Sequence, residues 1–473
     1  MTEPAPAPAP APEAEGAGTR FALALAVITA LGGAGRLLYL VRSGVDRAST
    51  FNQGDAFWYS TVAGAVAHGK GFTNVFTGVP TADHPPLTVV ALVPASWLFD
   101  TSTFAQRLTM VVLGTAVIAV VGLAGRRLGG DRVGLIAAAL AALLPALWVN
   151  DVLIMSETPT ALAVAGIFFL ALGLGDRPSM RAVAVVGGAC GLAALARAET
   201  GLFLPLLVWP LFWRGDGERS VRLRSIAVVT VATGAVLAPW FAYNLTRFDE
   251  PVSISTNDGL TLLGANCDAT YHGRLTGGWL LQPCVQEFWD TVDDRKPAGP
   301  AAFPEGTTCA DRYQLRPPCW DASTTSKLMR ADGLAYLRGH LGDLPKVLWA
   351  RNGRVWGWYR LDQGIGIGGF EGRPRWAGQL GYWATWLLLP VAAAGAVVLR
   401  RRRATLLPYA AALAIVVVIS SAFYGLVRFR IPWDVASCLL AAVAVDAAIG
   451  RITPRSAPPD PDGPPAGLAT PTG

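Results

Sequence analysis

The stretch "FALALAVITALGGAGRLLYL", residues 21–40, decides the fold class. It is almost wholly apolar and carries a single charged residue, Arg36. A helix needs about 20 apolar residues to cross a bilayer, so the stretch predicts a membrane span over residues 20–41. Arg36 lies well inside this span, close enough to its end for the guanidinium to reach the membrane surface.

The whole chain repeats this character. Of its 473 residues 52% are hydrophobic and only 15% are charged, and the mean hydropathy is +0.40, which is too apolar for an ordinary soluble protein. The net charge of +6 could suggest a nucleic-acid partner, but the arginines cluster at the ends of apolar runs, which membrane topology explains better. The predicted fold class is mainly α, a polytopic bundle of about ten membrane helices.

The predicted spans are 20–41, 103–125, 132–149, 157–174, 181–196, 201–213, 224–243, 380–399, 405–422 and 433–450. The fifth and sixth are short for a bilayer. Arginine clusters fall in alternate loops, as cytoplasmic loops require, and place both termini in the cytoplasm. The apolar segment 85–99 is short and rich in proline, and counting it as a span would break this pattern. It is predicted to be an interfacial or re-entrant helix.

This topology divides the chain into five parts. Residues 1–19 and 451–473 are rich in proline and predict disordered cytoplasmic tails. Residues 20–243 form a membrane module that includes a first external loop, 42–102. Residues 244–379 form a second, much longer external loop, and 380–450 hold the last membrane helices. External loops of this length are too long to be simple connectors.

The cysteines follow the same division. Cys190 and Cys438 lie in predicted spans, whereas four lie in the large external loop, namely Cys267, Cys284, Cys309 and Cys319. Four thiols on the oxidising side of the membrane favour two disulfides, paired in sequence order. A zinc site with four cysteine ligands is the alternative, but such sites usually contain closely spaced cysteine pairs, and this sequence has none.

Three acids lie near the outer ends of predicted spans. Asp55 follows the first span in "FNQGDAFWYS", Asp83 lies in "TADHPPL", and Glu157 begins the fourth span in "MSETP". An ionisable group at the membrane edge is costly unless it is solvated, paired or functional. For Asp55 the simpler alternative is an N-cap of a helix that begins at Ala56, although a capping residue can also be catalytic.

Basic residues on the same side complete a candidate site. "ARAET" places Arg197 and Glu199 between two spans, and "YGLVRFRIPWD" places Arg428 and Arg430 between the last two. External arginines run against the positive-inside trend, and a guanidinium is well shaped to bind phosphate. A structural pair between Arg197 and Glu199, and simple headgroup contact by Arg428 and Arg430, are the alternatives.

These elements together resemble a known family. In chain order Asp55, "DHPPL" at 83–87, "MSET" at 155–158, "ARAETGLFLP" at 196–205, "PVSISTNDG" at 251–259 and "RFRIPW" at 428–433 resemble the GT-C superfamily of glycosyltransferases, of the protein O-mannosyltransferase and lipid A aminoarabinose transferase type. Ala56 and His84 depart from the residues of those two relatives. The loop with "GANCDATYHG" resembles actinobacterial members.

The resemblance implies an inverting hexosyl- or pentosyltransferase of the bacterial cytoplasmic membrane, with its active site outside. It implies transfer of a monosaccharide from a polyprenyl phosphate to a glycan, lipid or protein hydroxyl in cell-envelope synthesis. Asp55 would be the general base, and Arg428, Arg430, Arg197 and protonated His84 would stabilise the leaving phosphate. Asp83, Glu157 and Glu199 would contact the sugar or the acceptor.

Two alternatives remain at this stage. Asp55, Asp83 and His84 could hold a divalent metal ion, since carboxylate oxygen and imidazole are acceptable ligands, and no other cofactor is predicted. A lipid-linked sugar transporter or flippase is the other functional class, but transporters place charged groups near mid-membrane and show repeated halves, which this sequence lacks.

Overall fold

The computed structural model describes residues 12–43, 54–76, 78–175, 177–215, 218–291 and 321–452. Within these ranges the secondary structure is helical and contains no β-strand, so the predicted fold class is confirmed. The helices are α1 (Pro12–Ser43), α2 (Asp55–Ala67), α3 (Leu87–Leu98), α4 (Thr103–Gly129), α5 (Asp131–Leu143), α6 (Pro145–Trp148), α7 (Glu157–Leu172), α8 (Met180–Ala196), α9 (Trp209–Trp213), α10 (Arg219–Leu245), α11 (Asn257–Ala265), α12 (Asp268–Tyr271), α13 (Gln286–Thr291), α14 (Ala322–Gly339), α15 (Leu344–Trp356), α16 (Leu361–Phe370), α17 (Arg375–Arg401), α18 (Leu407–Ala422) and α19 (Ile431–Ile452).

The length and hydropathy of the helices indicate a multi-pass membrane protein. In the described part of the chain five helical segments are long and apolar enough to cross a membrane, namely Gly18–Ser43, Thr103–Gly129, Arg219–Leu245, Arg375–Arg401 and Val427–Gly450. A sixth span results if Asp131–Leu143 and Pro145–Val152, which are bent by 55° at Leu144, are counted as one. All six correspond to predicted spans.

The other four predicted spans are also helical, but they are shorter. Glu157–Leu172, Met180–Ala196, Ala198–Trp213 and Leu407–Ala422 each have fewer than 18 residues, so the total of ten spans stays a prediction. The segment predicted to be interfacial or re-entrant forms α3, a helix of 12 residues that contains Pro94. Its position relative to a bilayer also stays a prediction.

Small residues allow the membrane helices to pack closely. Helix α4 packs against α1, α5 and α7, α8 packs against α10, and α17 packs against α19. At the α17–α19 contact, Gly395 lies so close to the backbone of Leu440 that any larger residue would overlap with it. Close backbone approach at glycine is typical of membrane helix pairs, because van der Waals packing rather than the hydrophobic effect holds them together.

Arg36 is placed differently from the prediction. Its side chain is buried, with 2% exposed, and its Nε donates a 2.6 Å hydrogen bond to Oδ2 of Asp151. Thr158 donates to the other oxygen of the same carboxylate at 2.8 Å. Gly114 of α4 leaves the space that the Asp151 carboxylate occupies. A buried charge is costly unless it is paired, and Asp151 supplies the partner that the sequence did not reveal.

The two segments predicted to lie outside the membrane, named here the first and second external segments, form compact helical structure of their own. Helices α2 and α3 come from the first, and α11 to α16 from the second. Cys267 and Cys284 form a disulfide next to a small core of Leu263, Val285, Phe288, Trp289 and Met329. This confirms one of the two predicted disulfides. Cys309 and Cys319 lie outside the described residues, as do most of the two predicted tails.

Candidate active site

Asp55 is the first residue of α2, and it does not cap that helix. Gly54 occupies the N-cap position with a φ of 73°, a left-handed conformation that favours glycine, and no side chain there accepts a capping hydrogen bond. The N-cap alternative for Asp55 is therefore wrong. Its carboxylate points instead toward residues that are distant in the sequence.

Two basic side chains meet the Asp55 carboxylate. Nη1 of Arg428 donates a 2.6 Å hydrogen bond to Oδ2, and Nε2 of His84 lies 3.4 Å from Oδ1. Burial alone would raise the pKa of Asp55, but the charges of Arg428 and His84 and their hydrogen bonds outweigh it and hold the pKa well below its usual range. Asp55 is thus an ionised carboxylate.

His84 is fixed by aromatic side chains of α2. Its ring stacks on Tyr59 at a centroid distance of 5.0 Å and meets the edge of Trp58 at the same distance. Trp58 is itself fixed, because its Nε1 donates to Thr81 at 3.1 Å. His84 comes from "DHPPL", immediately before α3, so this motif and the start of α2 form one wall of the site.

Arg428 binds three groups from three parts of the chain. It lies in a short 3₁₀ turn, Val427–Arg430, between α18 and α19. Besides Asp55, its Nη1 donates to Oε1 of Glu371 at 3.2 Å, and its Nη2 donates to the hydroxyl of Tyr424 at 3.3 Å. Its Nε is buried and has no hydrogen-bond partner among the described residues, which leaves one donor unused.

Glu371 and Arg373 extend this network away from Asp55. The second oxygen of Glu371 accepts from Nη1 of Arg373. Nη2 of Arg373 donates to Oε1 of Glu157 at 3.3 Å, and its Nε donates to Asn150 at 2.9 Å. Glu157 is fully buried and begins α7 at the end of the irregular segment 149–156. Arg373 therefore connects the α16–α17 turn to the "MSET" motif.

Arg197 closes the network on its other side. Its Nε donates to Glu199 at 2.5 Å, and its Nη1 donates to Ser156 at 3.3 Å and lies 3.7 Å from Oε1 of Glu157. The predicted Arg197–Glu199 pair is present, and it belongs to a larger arrangement. Acids and arginines alternate in the order Asp55, Arg428, Glu371, Arg373, Glu157, Arg197 and Glu199.

Two of the proposed site residues lie apart from this network. Arg430 is fully buried, and its Nε donates to Asp434 one helical turn later at 2.9 Å, while its Nη1 donates to the carbonyl of Val355 at 3.2 Å. Asp83 accepts at Oδ1 from Thr256 at 3.2 Å and ties the first external segment to the second.

Two cavities meet at Asp55. One has a volume of about 390 Å³ and is lined by Asp55, Arg197, Arg428 and Tyr424 together with apolar side chains, Leu202, Ile419, Phe423 and Phe429. The other, of about 690 Å³, lies between α2 and the second external segment and is lined by polar and aromatic residues that include Asn74, Asp83, Trp58, Phe76 and Trp279. Asp55, His84 and Asn257 line both cavities.

Four residues of this site were not predicted from the sequence. Glu371, Arg373 and Asn257 lie in the second external segment, and Tyr424 lies in the turn between α18 and α19. One available signal was "GFEGRPRW" at 369–376, which places arginines on the side where the positive-inside rule disfavours them. The same criterion had identified Arg197 and Arg428.

The site residues do not fit a metal centre of the predicted kind. Among the described residues no group of three or more His, Cys, Asp or Glu side chains could hold a metal ion. The Asp55 carboxylate is bound by Arg428, and Asp83 accepts from Thr256, so Asp55, Asp83 and His84 do not converge on one point.

Comparison with solved structures returns large membrane enzymes at low sequence identity. The archaeal oligosaccharyltransferase AglB from Archaeoglobus fulgidus, in complex with an inhibitory peptide and a dolichol-phosphate, is 16% identical over 85% of this chain and 48% of its own, with a TM-score of 0.46. An oligosaccharyltransferase from the same organism, in complex with Zn and sulfate, is 14% identical over 84% of this chain and 45% of its own, with a TM-score of 0.45. The present chain spans about half the length of these archaeal enzymes.

A bacterial structure is similar over more of its own length. ArnT from Cupriavidus metallidurans, bound to undecaprenyl phosphate, is 17% identical over 88% of this chain and 78% of its own, with a TM-score of 0.39. No curated protein matches this sequence.

A family model matches part of the chain. The dolichyl-phosphate-mannose-protein mannosyltransferase family covers residues 83–243, about a third of the sequence. The matched segment contains five of the proposed site residues, namely Asp83, His84, Glu157, Arg197 and Glu199. Over residues 83–243 this match confirms the resemblance to GT-C glycosyltransferases of the protein mannosyltransferase type.

Proposed function

We propose that this protein is an inverting glycosyltransferase that moves a monosaccharide from a polyprenyl phosphate to an acceptor hydroxyl. The reaction takes place on the outer face of the bacterial cytoplasmic membrane and serves the synthesis of a cell-envelope glycan, glycolipid or glycoprotein. The observation that carries this proposal is the position of Asp55, an ionised carboxylate at the junction of a cavity with two arginines and a cavity lined by polar and aromatic groups.

The smaller cavity has the chemistry of a donor site. Arg197 and Arg428 supply charge-assisted hydrogen-bond donors of the kind that bind phosphate. Leu202, Ile419 and Phe423 supply an apolar wall against which a lipid chain can pack. A volume of about 390 Å³ lies in the usual range of small-molecule sites. This combination suits a sugar phosphate attached to a polyprenyl tail.

The larger cavity is the candidate acceptor site. It also reaches Asp55, along α2, and its walls offer both aromatic faces and polar groups. An acceptor held there would present its hydroxyl to Asp55 while the anomeric carbon of the donor lies on the other side. In-line attack from one cavity on a carbon held in the other inverts the configuration at that carbon.

Proton transfer to Asp55 accompanies this attack. The acceptor oxygen forms a bond to the anomeric carbon, the bond from that carbon to the phosphate oxygen breaks, and the acceptor proton passes to the Asp55 carboxylate. The products are the glycosylated acceptor and the polyprenyl phosphate. Because the second pKa of such a phosphate is about 6, the leaving group needs little protonation, and the proton on Asp55 can pass to it or to water.

Arg428 and Arg197 would stabilise the charge that develops on the leaving phosphate. Both are held in place before substrate arrives, Arg428 by Glu371 and Tyr424 and Arg197 by Glu199 and Ser156. Donors that need no reorganisation during the reaction are the most effective in lowering its barrier. Arg430 would act indirectly. Its pair with Asp434 fixes the start of α19, next to the turn that contains Arg428.

The disulfide supports the external placement of this site. The bond between Cys267 and Cys284 requires an oxidising compartment, and Trp279, which lies between these two cysteines in the sequence, lines the larger cavity. The resemblance of this loop to actinobacterial proteins stays a prediction.

Transfer of a radiolabelled sugar tests the proposal. The purified protein, reconstituted in liposomes, would be given polyprenyl phosphates that carry different hexoses and pentoses, with a cell-envelope extract as acceptor. We expect label to move from one of these donors to the acceptor, and nuclear magnetic resonance of the product to show inversion at the anomeric carbon. Movement of the lipid-linked sugar across the liposome membrane without transfer would contradict the proposal and favour a flippase.

A further inference from the structure

We propose that the donor phosphate displaces Asp55 from Arg428, so that the Asp55 carboxylate becomes available to the acceptor proton only in the donor complex. This inference rests on the proposed function and adds a regulatory step to it. Its basis is that one guanidinium group, that of Arg428, serves both the proposed base and the proposed phosphate site.

The geometry sets up a competition between two anions. Without donor, Nη1 of Arg428 donates to Asp55 at 2.6 Å, and both residues line the smaller cavity. A phosphate that binds Arg428 in this cavity, through the unused Nε or through Nη1, brings a second negative charge next to Asp55. The two anions repel each other and share one positive charge, so the phosphate and Asp55 compete for Arg428.

Asp55 is the anion that leaves Arg428, because Glu371 is also bound by a second arginine and lies outside the smaller cavity. Glu371 binds Arg428 with one oxygen and Arg373 with the other, and it is not among the residues that line the smaller cavity. Asp55 lines the cavity, and His84 is its other basic partner at 3.4 Å. Glu371 can therefore keep Arg428 in place while Asp55 is released.

The displacement would convert a weak base into a stronger one. With Arg428 on Asp55, the pKa of Asp55 is held well below its usual range, although burial alone would raise it. Once the phosphate neutralises Arg428, that positive charge no longer opposes the effect of burial on the pKa of Asp55. The negative phosphate also disfavours the ionised carboxylate, so both effects raise this pKa. A base with a higher pKa accepts a proton more readily. Hydroxyl groups, including water, would be activated little in the absence of donor.

Proton uptake on ligand binding tests this directly. The charged and titratable groups around Asp55 are Arg428, His84, Glu371, Tyr59, Tyr424, Arg197 and Glu157. The probe is farnesyl methyl phosphate, a diester with one fixed negative charge, so that the probe itself does not titrate. Calorimetry in two buffers of different ionisation enthalpy gives the number of protons taken up per diester bound. The measurements are made between about pH 4 and 5, near the ordinary pKa of a carboxylic acid.

We expect the wild-type protein to take up protons, at most one per diester bound, and Asp55→Asn to bind the diester without uptake. Glu371→Gln and His84→Gln should keep the uptake, since Asp55 remains. Binding by the wild type without proton uptake would overturn the inference but leave the proposed function intact. Uptake that persists in Asp55→Asn and disappears in Glu371→Gln would also overturn it, because Glu371 would then be the displaced anion.

Two further results separate a failure of this inference from a failure of the proposed function. Absence of diester binding by a folded wild-type protein would contradict the proposed function itself, and this inference with it. Thermal unfolding of each variant shows whether it is folded, and if Asp55→Asn is not, Asp55→Ser serves in its place, because a hydroxyl cannot take up the proton either.

Discussion

Nη1 of Arg428 lies 2.6 Å from Oδ2 of Asp55, a contact that joins residues 373 positions apart in the sequence. It brings the beginning of the first external segment to the turn before the last helix. Because Arg428 also binds Glu371, the same contact links Asp55 to the buried network that ends at Glu157, Arg197 and Glu199. The predicted base and the predicted phosphate ligand are thus one structural unit.

Arg428 and Arg430 should respond differently to substitution. Arg428 lines the donor cavity, so Arg428→Ala should raise the donor KM by about 10- to 100-fold, the usual effect of losing hydrogen bonds to a charged group. Arg430 pairs with Asp434 in the core, so Arg430→Met should lower the free energy of unfolding by about 3 kcal/mol or more, since it leaves a buried carboxylate unpaired. Steady-state kinetics and thermal unfolding of both variants check this.

The reverse pattern would contradict the assignment. If Arg430→Met remained as stable as the wild type and lost donor binding, while Arg428→Ala bound donor normally, then Arg430 would be the phosphate ligand and the cavity that Arg428 lines would not be the donor site.

The pH dependence of transfer should reveal the depressed pKa of Asp55. The ionised carboxylate is the active form, and in the free protein its pKa lies well below the usual value. The ratio kcat/KM for donor, which reports the free enzyme, should therefore stay on its plateau as the pH falls to about 4. The acid limb of kcat, which reports the donor complex, should lie at higher pH. An acid limb of kcat/KM near neutral pH would contradict this.

The sequence predicted more of the fold than of the site network. The lengths of the apolar runs and the positions of the arginines located every predicted helix, because both follow from the cost of placing charge in a bilayer. The motif residues Asp55, His84, Arg197 and Arg428 also converge as expected. Glu371 and Arg373 were missed because they lie in a long external segment, where neither periodicity nor topology identifies a partner 57 or 216 residues away.

Arg36 shows the same difference between predicting a helix and predicting a contact between distant residues. Its position inside a span was evident, but the Asp151 partner was not. Asp151 lies 115 residues away, between the predicted spans 132–149 and 157–174. Helix α6 bends away there, and residues 149–156 leave the regular helix while staying buried. A single sequence contains no signal that would pair these two residues.

Arg36 and Asp151 should stabilise the protein together, so that loss of one leaves the other destabilising. Arg36→Met leaves the Asp151 carboxylate buried without its charge partner, which should lower the free energy of unfolding by about 3 to 5 kcal/mol. Adding Asp151→Asn removes that charge and should restore at least half of the loss, because the amide can still accept from Thr158. Thermal unfolding in detergent measures both, and losses that simply add would contradict the pairing.

The disulfide should stabilise the external helices. Cys267 and Cys284 are 17 residues apart, and a closed loop of this length stabilises by about 3 kcal/mol in the chain-entropy account. Cys267→Ser, Cys284→Ser and the double variant should all lose this amount, since each breaks the same bond. Limited proteolysis and thermal unfolding follow the effect, and a double variant that loses twice as much as either single variant would show that the two cysteines act separately.

The most direct test of the central claim compares transfer by the wild type, Asp55→Asn and Asp100→Asn in liposomes, with radiolabelled polyprenyl-phosphate sugars as donors. Asp100 is an exposed acid on the same external segment, 3.8 Å from His68, and serves as the matched control. We predict that Asp55→Asn stays folded and binds donor but transfers sugar about 100- to 10,000-fold more slowly, whereas Asp100→Asn transfers at the wild-type rate. Equal transfer by Asp55→Asn and the wild type would contradict the claim that Asp55 is the base.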